Sequence, residues 1–437
     1  MSIEAADPVT VRVGKWLGGI PSGWTGARLF EVADAWPSNA DKHTVEGQPP
    51  VRLCNYVDVY KNDSIVSSLD FMTATATREQ IKKFRIHVGD TLITKDSETA
   101  DDIGIPAFVE YEADDLICGY HLAIVRPDLR RVFPKYLYWV LNSDPIARQW
   151  GVIAAGVTRV GIRSTDLNKV TMPLPPLDEQ QVIADYLDKE TSQIDSLVAK
   201  QEEFIGLLRE RRQTANELAV SRLEVRGRRL KHITRSIRQG WSPQCYTWST
   251  DGVERWAVLK AGAANGGVFR PFENKELPAG EAPRPRTVVR SGDLIVSRAN
   301  TRDLVGSAAV AQGNFPRLML SDKLYAFDLD RSQALPRFVA TVLGSRRWRE
   351  LIEMKATGAS SSMLNISQDD IANLPMPLPD VEEQKLILGE LDEQTTQIDA
   401  LIAKAEEHIT LAKERRTALI AAAVTGQIDV RTARKAS

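Results

Sequence analysis

The chain has 437 residues, of which 43% are hydrophobic and 26% are charged, enough for two or three domains with packed cores. Its formal net charge of −2 argues against a uniformly basic nucleic-acid binder, although local basic faces stay open. Cys54, Cys118 and Cys245 form no CxxC pair, and the five histidines stand at no metal-ligand spacing, so we predict neither a metal site nor a disulfide framework. No signal-peptide pattern and no apolar run of ~20 residues is visible, so we expect a cytoplasmic protein that does not enter a membrane.

Strand-like runs open the first half of the chain. They carry β-branched residues in rough alternation between Gly, Pro and Asp, and they cover residues 51–60, 86–94 and 117–127. A helix-like run at 134–141 and a polar loop from Gly156 then lead to MPLP at 172–175. Because proline continues neither a helix nor a sheet, we interpret MPLP as a stiff connector after a mixed α/β module.

A long helix follows this connector. Asp178 stands near its start, where a negative charge suits the helix dipole, and apolar residues then recur at spacings of three and four. The apolar seam consists of Ile183, Leu187, Ile194, Leu197, Phe204 and Leu208. This heptad stripe predicts a coiled-coil helix, with an ordinary amphipathic surface helix as the alternative.

Charge is distributed unevenly along the chain. Residues 226–238 (RGRRLKHITRSIR) carry six basic side chains and no acid, which suits contact with phosphates but is also typical of a solvated linker. Residues 96–115 carry eight acids and no base. We expect this acidic segment to face away from any polyanion.

The second half repeats the plan of the first. Gly292-Asp293 stands where Gly89-Asp90 stands in the first half, and a polar loop from Gly358 leads to a second MPLP. The strand-like runs cover 255–262, 287–298 and 318–330, the helix-like run covers 336–343, and the connector is at 376–379. The second seam consists of Ile387, Leu391, Ile398, Leu401, Ala405, Ala412 and Leu419. Four polar residues interrupt the two seams: Glu190, Gln201, Gln394 and His408.

The clearest feature of the sequence is an internal repeat. Residues 172–200 (MPLPPLDEQQVIADYLDKETSQIDSLVAK) and 376–404 (MPLPDVEEQKLILGELDEQTTQIDALIAK) align without a gap and share 16 identical residues out of 29. A repeat of this kind implies two similar modules, each ending in the same helical element. Two matched helices of this length favour pairing with each other, and we expect them to be antiparallel.

The sequence lacks the motifs of the common nucleic-acid enzymes. It has no Gly-x4-Gly-Lys-Ser/Thr phosphate loop, no GxGxxG with an acidic partner and no Asn/Asp-Pro-Pro-aromatic run. The run Glu273-Asn274-Lys275 lacks the upstream Pro-Asp of a nuclease site. We therefore predict no catalytic residue, and a stand-alone nuclease or methyltransferase is the weakest hypothesis.

The repeated P-L-P…(D/E)-E-Q…I-D-x-L-(I/V)-x-K helix resembles that of the specificity subunits of type I restriction–modification systems. Ile20-Pro21-Ser22-Gly23-Trp24, the run GDLIVSR at 292–298 and ERRTALIAAAVTGQIDVR at 414–431 are also similar to that family. The resemblance covers essentially the whole chain, and it is specific in the helices but not in the modules. It implies an α+β fold with two tandem α/β target-recognition domains, each followed by a long helix, the two helices pairing as an antiparallel coiled coil.

The resemblance also implies domain boundaries and partners. The boundaries are 1–172 for target-recognition domain 1, 173–225 for spacer helix 1, 226–376 for target-recognition domain 2, and 377–437 for spacer helix 2 with the C-terminal tail. The family's subunit is non-catalytic, its two domains read the halves of a bipartite double-stranded DNA target, and its helices dock two methyltransferase subunits. Restriction (translocase) subunits join that core, and S-adenosylmethionine, ATP and Mg belong to these partners, with no cofactor on this chain.

Base contacts are expected from two loops per module, one after the Gly-Asp strand and one before MPLP, while other basic side chains hold phosphates. Acids crowd Lys95 and Ser97 in module one, so Thr158 and Arg159 are preferred there. The predicted DNA-binding residues are Lys82, Lys83, Arg85, Lys95, Ser97, Thr158, Arg159, Arg163, Arg235, Arg238, Arg298, Asn300, Arg302, Ser360, Ser361, Ser362 and Asn365.

Residues of the repeated motif are the candidates for helix pairing and partner docking. We expect the apolar ones to pack helix on helix and the exposed polar ones to meet the methyltransferase subunits. They are Glu179, Gln180, Ile183, Leu187, Ile194, Asp195, Leu197, Glu383, Gln384, Ile387, Leu391, Ile398, Asp399 and Leu401. The alternative hypothesis is a coiled-coil scaffold that binds only proteins; it leaves the paired basic loops without a purpose, and a salt-dependent affinity for DNA would count against it.

Overall fold

The computed structural model describes residues 19–156, 159–360 and 363–433. For residues 101, 359–360 and 432–433 it describes the backbone. The chain divides into two compact units, one formed by Met1–Gln201 with Glu407–Ser437 and the other by Glu202–Glu406. We call them unit 1 and unit 2.

The first part of unit 1 is a mixed α/β module followed by a long helix. Its strands are β1 Thr25–Arg28, β2 Ala33–Pro37, β3 Pro50–Cys54, β4 Ser64–Ile65, β5 Met72–Thr75, β6 Thr91–Thr94, β7 Asp96–Ser97, β8 Pro106–Val109, β9 Leu116–Cys118, β10 Leu122–Pro127, β11 Val160–Gly161 and β12 Thr171–Leu174. Its helices are α1 Leu29–Val32, α2 Tyr56–Tyr60, α3 Arg78–Phe84, α4 Pro134–Leu141, α5 Asp144–Ile153 and α6 Ser164–Leu167. The long helix α7, Leu177–Ser221, begins in unit 1. We call the part from β1 to β12 module 1.

Module 1 is built on a five-stranded sheet with the strand order β2-β10-β6-β8-β4. A second sheet has the order β5-β3-β9, in which β3 is antiparallel to β5 and parallel to β9. Module 1 also contains two short antiparallel strand pairs, β1 with β12 and β7 with β11. The β1–β12 pair joins the first strand of the module to the MPLP run, so the module closes where the long helix starts.

The second module lies in unit 2, together with the rest of α7. Its strands are β13 Thr234–Gln239, β14 Ala257–Leu259, β15 Asn274–Glu276, β16 Leu294–Ser297, β17 Ala299–Asn300, β18 Ala308–Val310, β19 Leu318–Met319, β20 Leu324–Leu329, β21 Thr357–Ser360 and β22 Met363–Asn365. Its helices are α8 Pro336–Gly344, α9 Arg346–Lys355 and α10 Gln368–Ala372, and α11 Val381–Val424 and α12 Val430–Ala433 follow. We call the part from β13 to α10 module 2.

Module 2 repeats the strand connections of module 1. Its main sheet has the order β13-β20-β16-β18, which matches β2-β10-β6-β8. Its second sheet, β15-β14-β19, matches β5-β3-β9, including the parallel pairing of β14 with β19. A third sheet, β17-β22-β21, extends the counterpart of the β7–β11 pair. The internal repeat therefore covers the modules as well as the helices, although their loops differ in sequence.

Each unit contains an antiparallel helix pair. In unit 1, α7 and α11 share one hydrophobic core through Ile183, Ala184, Leu187, Ile420, Ala423 and Val424. In unit 2, Val220 and Leu388 lie in one core, Arg209 pairs with Glu406 (3.3 Å) and Arg212 with Asp399 (3.3 Å). Residue numbers rise along one helix as they fall along the other. The predicted α+β fold with two paired long helices is confirmed.

The buried seam agrees with the predicted one at Ile183, Leu187, Ile194, Leu208, Leu391, Ile398, Ala405 and Ala412, and it differs from the prediction by one residue at positions between them. Thr191 and Thr395 are buried, and their hydroxyls donate to the carbonyls of Leu187 (2.6 Å) and Leu391 (2.7 Å). The large side chains of Leu197, Phe204 and Leu401 are instead 49%, 40% and 45% exposed, and His408 is exposed. The stripe runs from Ile194 through Val198 and Gln201 to Ile205. Both phases satisfy a spacing of three and four, so spacing alone could not choose between them.

The strand-like runs of the sequence are broken by turns. The run at 51–60 forms β3 and then α2, because the Asp58 carboxylate accepts the Asn55 amide (2.7 Å) and starts a helix. The run at 86–94 becomes a strand at β6, after the Gly89-Asp90 turn, where Gly89 has a φ of +95°. The run at 117–127 splits into β9 and β10. Alternation located these strands but did not fix where they begin.

Candidate nucleic-acid interface

In module 1, the two loops that the sequence predicts as a contact surface lie side by side. Strand β7 pairs with β11 in antiparallel register, with Ser97 opposite Val160. The Ile162 amide also donates to the Lys95 carbonyl over 2.8 Å. The segment after the Gly-Asp turn is thereby joined to the segment before the MPLP run.

Lys95 and Ser97 are packed inside module 1, which corrects their assignment to an exposed contact loop. The Lys95 side chain is 15% exposed, and its Nζ lies 4.7 Å from the Tyr120 ring centroid and 3.6 Å from Asp96 Oδ2. Ser97 is 3% exposed. Asp96 also hydrogen-bonds His121 (Nδ1–Oδ2 3.0 Å). Asp96 therefore pairs with both Lys95 and His121 inside the loop, and the Lys95 ammonium is not free to contact a ligand.

The exposed basic side chains on the paired loops of module 1 include Arg159 and Arg163. Thr158 lies outside the described residues. Tyr56 and Tyr60 stack with ring centroids 5.4 Å apart. Partial burial raises the pKa of the Tyr56 hydroxyl, while the positive charge of Arg159 acts in the opposite sense. The hydroxyl stays protonated at neutral pH and is available as a hydrogen-bond donor.

The acidic segment of module 1 is partly neutralised by ion pairs. The Arg52 guanidinium donates to both carboxylate oxygens of Asp115 (2.9 and 2.7 Å) and holds the pKa of Asp115 below its usual range. Glu112 accepts the Val88 amide (2.9 Å), and this hydrogen bond lowers the pKa of Glu112. The partners of these two acids come from distant segments of the chain, so the absence of a basic residue within 96–115 does not leave all of its acids without a partner.

In module 2, the corresponding loops also pair. Strand β17 pairs with β22, with Ala299 opposite Asn365 and Asn300 opposite Leu364. The Ile366 amide donates to the carbonyl of the residue before β17 over 3.0 Å, the counterpart of the bond in module 1. The same two segments therefore meet in both modules.

The side chains on the module 2 loops differ in how free they are. Arg298 Nη1 donates to the Asp322 carbonyl (3.2 Å), and Asn300 Nδ2 donates to Asn265 Oδ1 (3.1 Å). Arg298, Asn300 and Asn365 are half-buried, and Arg302 is exposed. Ser360 ends β21 and is described in its backbone; Ser361 and Ser362 lie outside the described residues. Of the basic side chains on these loops, Arg302 is therefore the most accessible to a ligand.

A basic groove lies on module 1 beside α3. Arg78, Lys82, Arg85 and His87 line it together with Ile81, and its volume is about 420 Å³. Lys82 and the neighbouring Lys83 are exposed. Arg85 pairs with Asp114 (2.5 Å), whereas Arg78 and Lys82 are exposed and form no ion pair with a described carboxylate.

Arg238 is half-buried and paired within module 2, which corrects its assignment to a phosphate-contacting linker. Its guanidinium pairs with Asp293, and these two side chains are 14% and 4% exposed. Its Nη1 also donates to the Val288 carbonyl over 2.6 Å. Arg235 is 61% exposed and pairs with Asp330 at 2.8 Å. Arg235 lies at an irregularity in the pairing of β13 with β20, between Thr234 and Ser236, and it stays at the surface while Arg238 turns inward.

Module 1 builds the same junction with an arginine from another strand. Arg126, on β10, donates to both carboxylate oxygens of Asp90 (2.8 and 2.7 Å) and to the Arg85 carbonyl (3.1 Å). Asp90 and Asp293 are the acids of the two Gly-Asp pairs. Arg85 bridges to β9 as Val288 bridges to β19. A guanidinium therefore joins the same two backbone segments in both modules, from β10 in one and from β13 in the other. We call this contact the arginine junction.

Two matched glutamines join each module to its long helix. Gln180 is 1% exposed; its Oε1 accepts the Phe133 amide (2.8 Å), and its Nε2 donates to the carbonyls of Arg131 (3.2 Å) and Pro175 (2.9 Å). Residues 133 and 131 precede α4, and residue 175 ends the MPLP run. The Gln180 side-chain amide therefore joins the start of α7 to the segment before α4 and to the end of the MPLP run.

Gln384 makes the same three contacts in unit 2. It is fully buried; its Oε1 accepts the Leu335 amide (2.8 Å), and its Nε2 donates to the carbonyls of Gln333 (3.0 Å) and Pro379 (2.9 Å). We call the two arrangements the glutamine joints. Both glutamines were assigned to partner docking as exposed polar residues of the motif, and burial removes them from any docking surface.

Two matched ion pairs lie along the helices. In unit 1, Asp195 pairs with Arg416 (3.1 Å), and in unit 2, Asp399 pairs with Arg212 (3.3 Å). Glu179 pairs with Arg431 (3.3 Å). The aspartates of the motif thus hold helix to helix. The remaining polar candidate, Glu383, is exposed, and Ile387 is half-buried against the core of unit 2.

Leu197 and Leu401 do not lie in the buried seam of the long helices. They belong to a set of four exposed leucines at equivalent positions of α7 and α11. Leu207 and Leu411 are 58% and 54% exposed at equivalent positions of the two helices. Leu197 and Leu411 belong to unit 1, and Leu401 and Leu207 to unit 2. Each unit therefore presents two of these four matched leucines on its helix pair, which makes the matched set a candidate contact surface.

Metal-binding clusters, reactive thiols and apolar helices are the remaining features of interest in the described part of the chain. No group of three or more His, Cys, Asp or Glu residues there could hold a metal ion. Cys54 and Cys118 are buried, and burial raises the pKa of each thiol well above its usual range, so neither is a reactive thiolate. None of the described helices is long and apolar enough to span a bilayer.

The chain is similar to one family of known proteins. Residues 21–204 match the family model described as "Type I restriction modification DNA specificity domain". The EcoEI specificity subunit of Escherichia coli is 29% identical over 165 residues, which are 38% of this chain and only 28% of that protein's length. The EcoKI specificity subunit of Escherichia coli K12 is 22% identical over 432 residues, 94% of this chain and 90% of its own. The StySPI specificity subunit of Salmonella potsdam is 20% identical over 429 residues, 94% of this chain and 90% of its own.

One solved structure shares the fold. A chain from a study of complex assembly and conformational transition in the type I R-M system matches with a TM-score of 0.62 and 20% sequence identity. The match covers 94% of this chain and 99% of the other.

Proposed function

Because this chain belongs to the family of type I restriction–modification DNA specificity subunits, we propose that it recognises a bipartite double-stranded DNA sequence on behalf of catalytic partners. Module 1 would read one half of the target and module 2 the other. The proposed boundaries are residues 1–172 and 226–376 for the two target-recognition domains, and 173–225 and 377–437 for the spacer helices and tail.

One observation carries this proposal. The two modules share their strand connections and their glutamine joints, while the paired loops at β7–β11 and β17–β22 present different side chains. A constant frame with variable loops suits a protein that must read two different half-sites. A protein-only scaffold does not require such loops to differ.

Arginine and asparagine at the loops suit direct readout of bases. A guanidinium can donate to both acceptors of guanine, and an amide can pair with adenine. We propose Arg159 and Arg163 for module 1, and Arg298, Arg302 and Asn365 for module 2. Asn300 would act through the loop that it holds. Lys82, Lys83, Arg85 and Arg235 would contact phosphates, which set register and carry no sequence information. Thr158 and the serines at 360–362 complete the proposed contact set.

The partners would dock on the helices. Two methyltransferase subunits of one kind fit the matched exposed leucines, since equivalent positions in the two units offer equivalent surfaces. Restriction (translocase) subunits would join the assembly through these partners. S-adenosylmethionine, ATP and Mg would be bound by them, and this chain would contribute no cofactor site and no catalytic residue. We place its action in the cytoplasm, where its DNA target is.

Co-expression with the methyltransferase of the same system tests this function. Mapping of methylated adenines should give one bipartite sequence with a fixed spacer between its halves. A strain that lacks this chain but keeps the methyltransferase should lose methylation at that sequence. Unchanged methylation in that strain would contradict the proposal.

A further inference from the structure

A second basic segment, residues 284–290, stands in module 2 where α3 and its following residues stand in module 1. Val288 bridges to Met319 in β19, as Arg85 bridges to Ile117 in β9. Each segment then runs directly into its Gly-Asp pair. The two segments are therefore structural counterparts, although they share no obvious sequence.

The turn after each segment confirms this match. The Asp90 carboxylate accepts the His87 amide over 2.8 Å, and the Asp293 carboxylate accepts the Arg290 amide over 2.6 Å. The same carboxylates take part in the arginine junctions. Each basic segment is thus fixed at its end by a buried acid and a buried or half-buried guanidinium.

The segment of module 2 carries charge that nothing nearby neutralises. Arg284, Arg286 and Arg290 are exposed, and among the described residues no carboxylate pairs with them. The Arg284 guanidinium lies 4.5 Å from the ring centroid of Trp241, which holds it at the surface without removing its charge. Like charges so close together repel, and a polyanion relieves that repulsion.

The segment is also rigid where it carries these charges. A 3₁₀ turn at Pro285–Thr287 fixes the backbone, and the proline ring restricts φ. The Arg238 guanidinium holds the Val288 carbonyl. A fixed backbone that carries three arginines loses less freedom on contact with phosphates than a flexible loop does, and phosphate contacts set the register of a protein on DNA.

We propose that Arg284, Arg286 and Arg290 form the phosphate-binding segment of module 2, the counterpart of the module 1 segment that carries Lys82, Lys83 and Arg85. The proposal rests on the DNA recognition proposed above and adds residues in module 2 that the sequence did not indicate. Such contacts follow the backbone of the duplex, so they strengthen binding to every sequence equally.

The test compares two triple variants of the full chain in complex with its methyltransferase. One is Arg284→Gln/Arg286→Gln/Arg290→Gln. The other removes three exposed arginines elsewhere in unit 2, Arg211→Gln/Arg222→Gln/Arg347→Gln, with the same change in net charge. Affinity is measured from low to high salt on a duplex with the methylated sequence and on a shuffled duplex.

For the first variant we expect the slope of log affinity against log salt to fall by about 2 to 3, since each lost phosphate contact removes roughly 0.9. Affinity should fall by the same factor on both duplexes, and the control should keep the wild-type slope. An unchanged slope, or a loss confined to the methylated sequence, would overturn the phosphate assignment. If the wild-type complex itself shows no salt-dependent DNA binding, the proposed function fails, which is a different outcome.

Discussion

Units 1 and 2 attach their modules to the long helices with the same residue, but they build their outer loops from different ones. Gln180 and Gln384 make the same three hydrogen bonds to corresponding backbone groups. At the loops, Lys95 is packed against Tyr120, whereas Arg298 holds a neighbouring carbonyl. The contact that sets a module's orientation is kept, and the surface that would meet a ligand is free to change.

The arginine junction is intermediate between the glutamine joints, which keep the same residue, and the loops, which do not. Both modules place a guanidinium against the acid of the Gly-Asp pair, but Arg126 comes from β10 and Arg238 from β13. The contact is kept while the residue that makes it is not. This indicates that the junction, and not a particular strand position, is what the module requires.

The largest expected effect separates the two arginine junctions. Arg238→Met should destabilise unit 2 by about 3–5 kcal/mol, because it removes the only charged partner that the described residues give the buried Asp293 carboxylate. Arg126→Met should cost less, because the Arg126 side chain is 35% exposed and water can replace it at Asp90. Urea denaturation of the two variants measures the difference. Equal losses would contradict the claim that burial decides the cost.

The glutamine joints should behave alike in the two units. Gln180→Ala and Gln384→Ala each leave one amide N–H and two carbonyls without their side-chain partner, at a cost of about 2–4 kcal/mol. Denaturant midpoints give the comparison, with Gln181→Ala, at an exposed position one residue further on, as the control. A loss below about 1 kcal/mol for either joint would show that it does not hold the module to the helix.

The exposed loop arginines should affect recognition and not stability. Arg159→Ala should weaken discrimination in one half of the DNA target, and Arg302→Ala in the other, each by about 1–3 kcal/mol. Methylation mapping of the two variants reads each half separately. If both variants relaxed the same half, the modules would not divide the target between them.

The smallest expected effect concerns two matched aspartates on the helices. Asp392 accepts from Arg337 (Nη1–Oδ2 2.7 Å), and that hydrogen bond lowers the pKa of Asp392. Its counterpart Asp188 accepts from Trp139 Nε1 (2.7 Å), and desolvation raises the pKa of Asp188. A carboxylate whose pKa is lowered by folding stabilises the fold at a pH above its unfolded pKa, and this stabilisation is lost as the pH falls through its folded pKa. A carboxylate whose pKa is raised by folding does the opposite: its protonation stabilises the folded state as the pH falls.

Asparagine variants therefore respond to pH in opposite senses. At about pH 7, Asp392→Asn should cost up to about 1 kcal/mol, since its ion pair is half-exposed, and the cost should be smaller at about pH 3, below the usual pKa of an aspartate. Asp188→Asn should be neutral or slightly stabilising at pH 7 and lose that advantage in acid. Denaturation at the two pH values measures both, and the same pH trend for both variants would contradict the assignment.

The helices could be predicted from the sequence because their pattern is local and occurs twice. The joint glutamines had the same signal, since both copies keep Gln at one position, but the pattern cannot distinguish a buried amide from an exposed one. Arg126 and Arg238 left no shared signal, because they lie on different strands and meet their acids only through tertiary pairing. Lys95 could not be recognised as buried, since its partner Tyr120 lies on another segment.

Exchange of one module tests the division of labour most directly. Residues 20–172 are replaced by the corresponding module of another family member, which leaves Gln180 and both long helices in place. Methylation mapping of the chimera should show a new sequence in one half of the target, with the other half and the spacer unchanged. A chimera that still methylates DNA but changes both halves, or neither, would contradict the account.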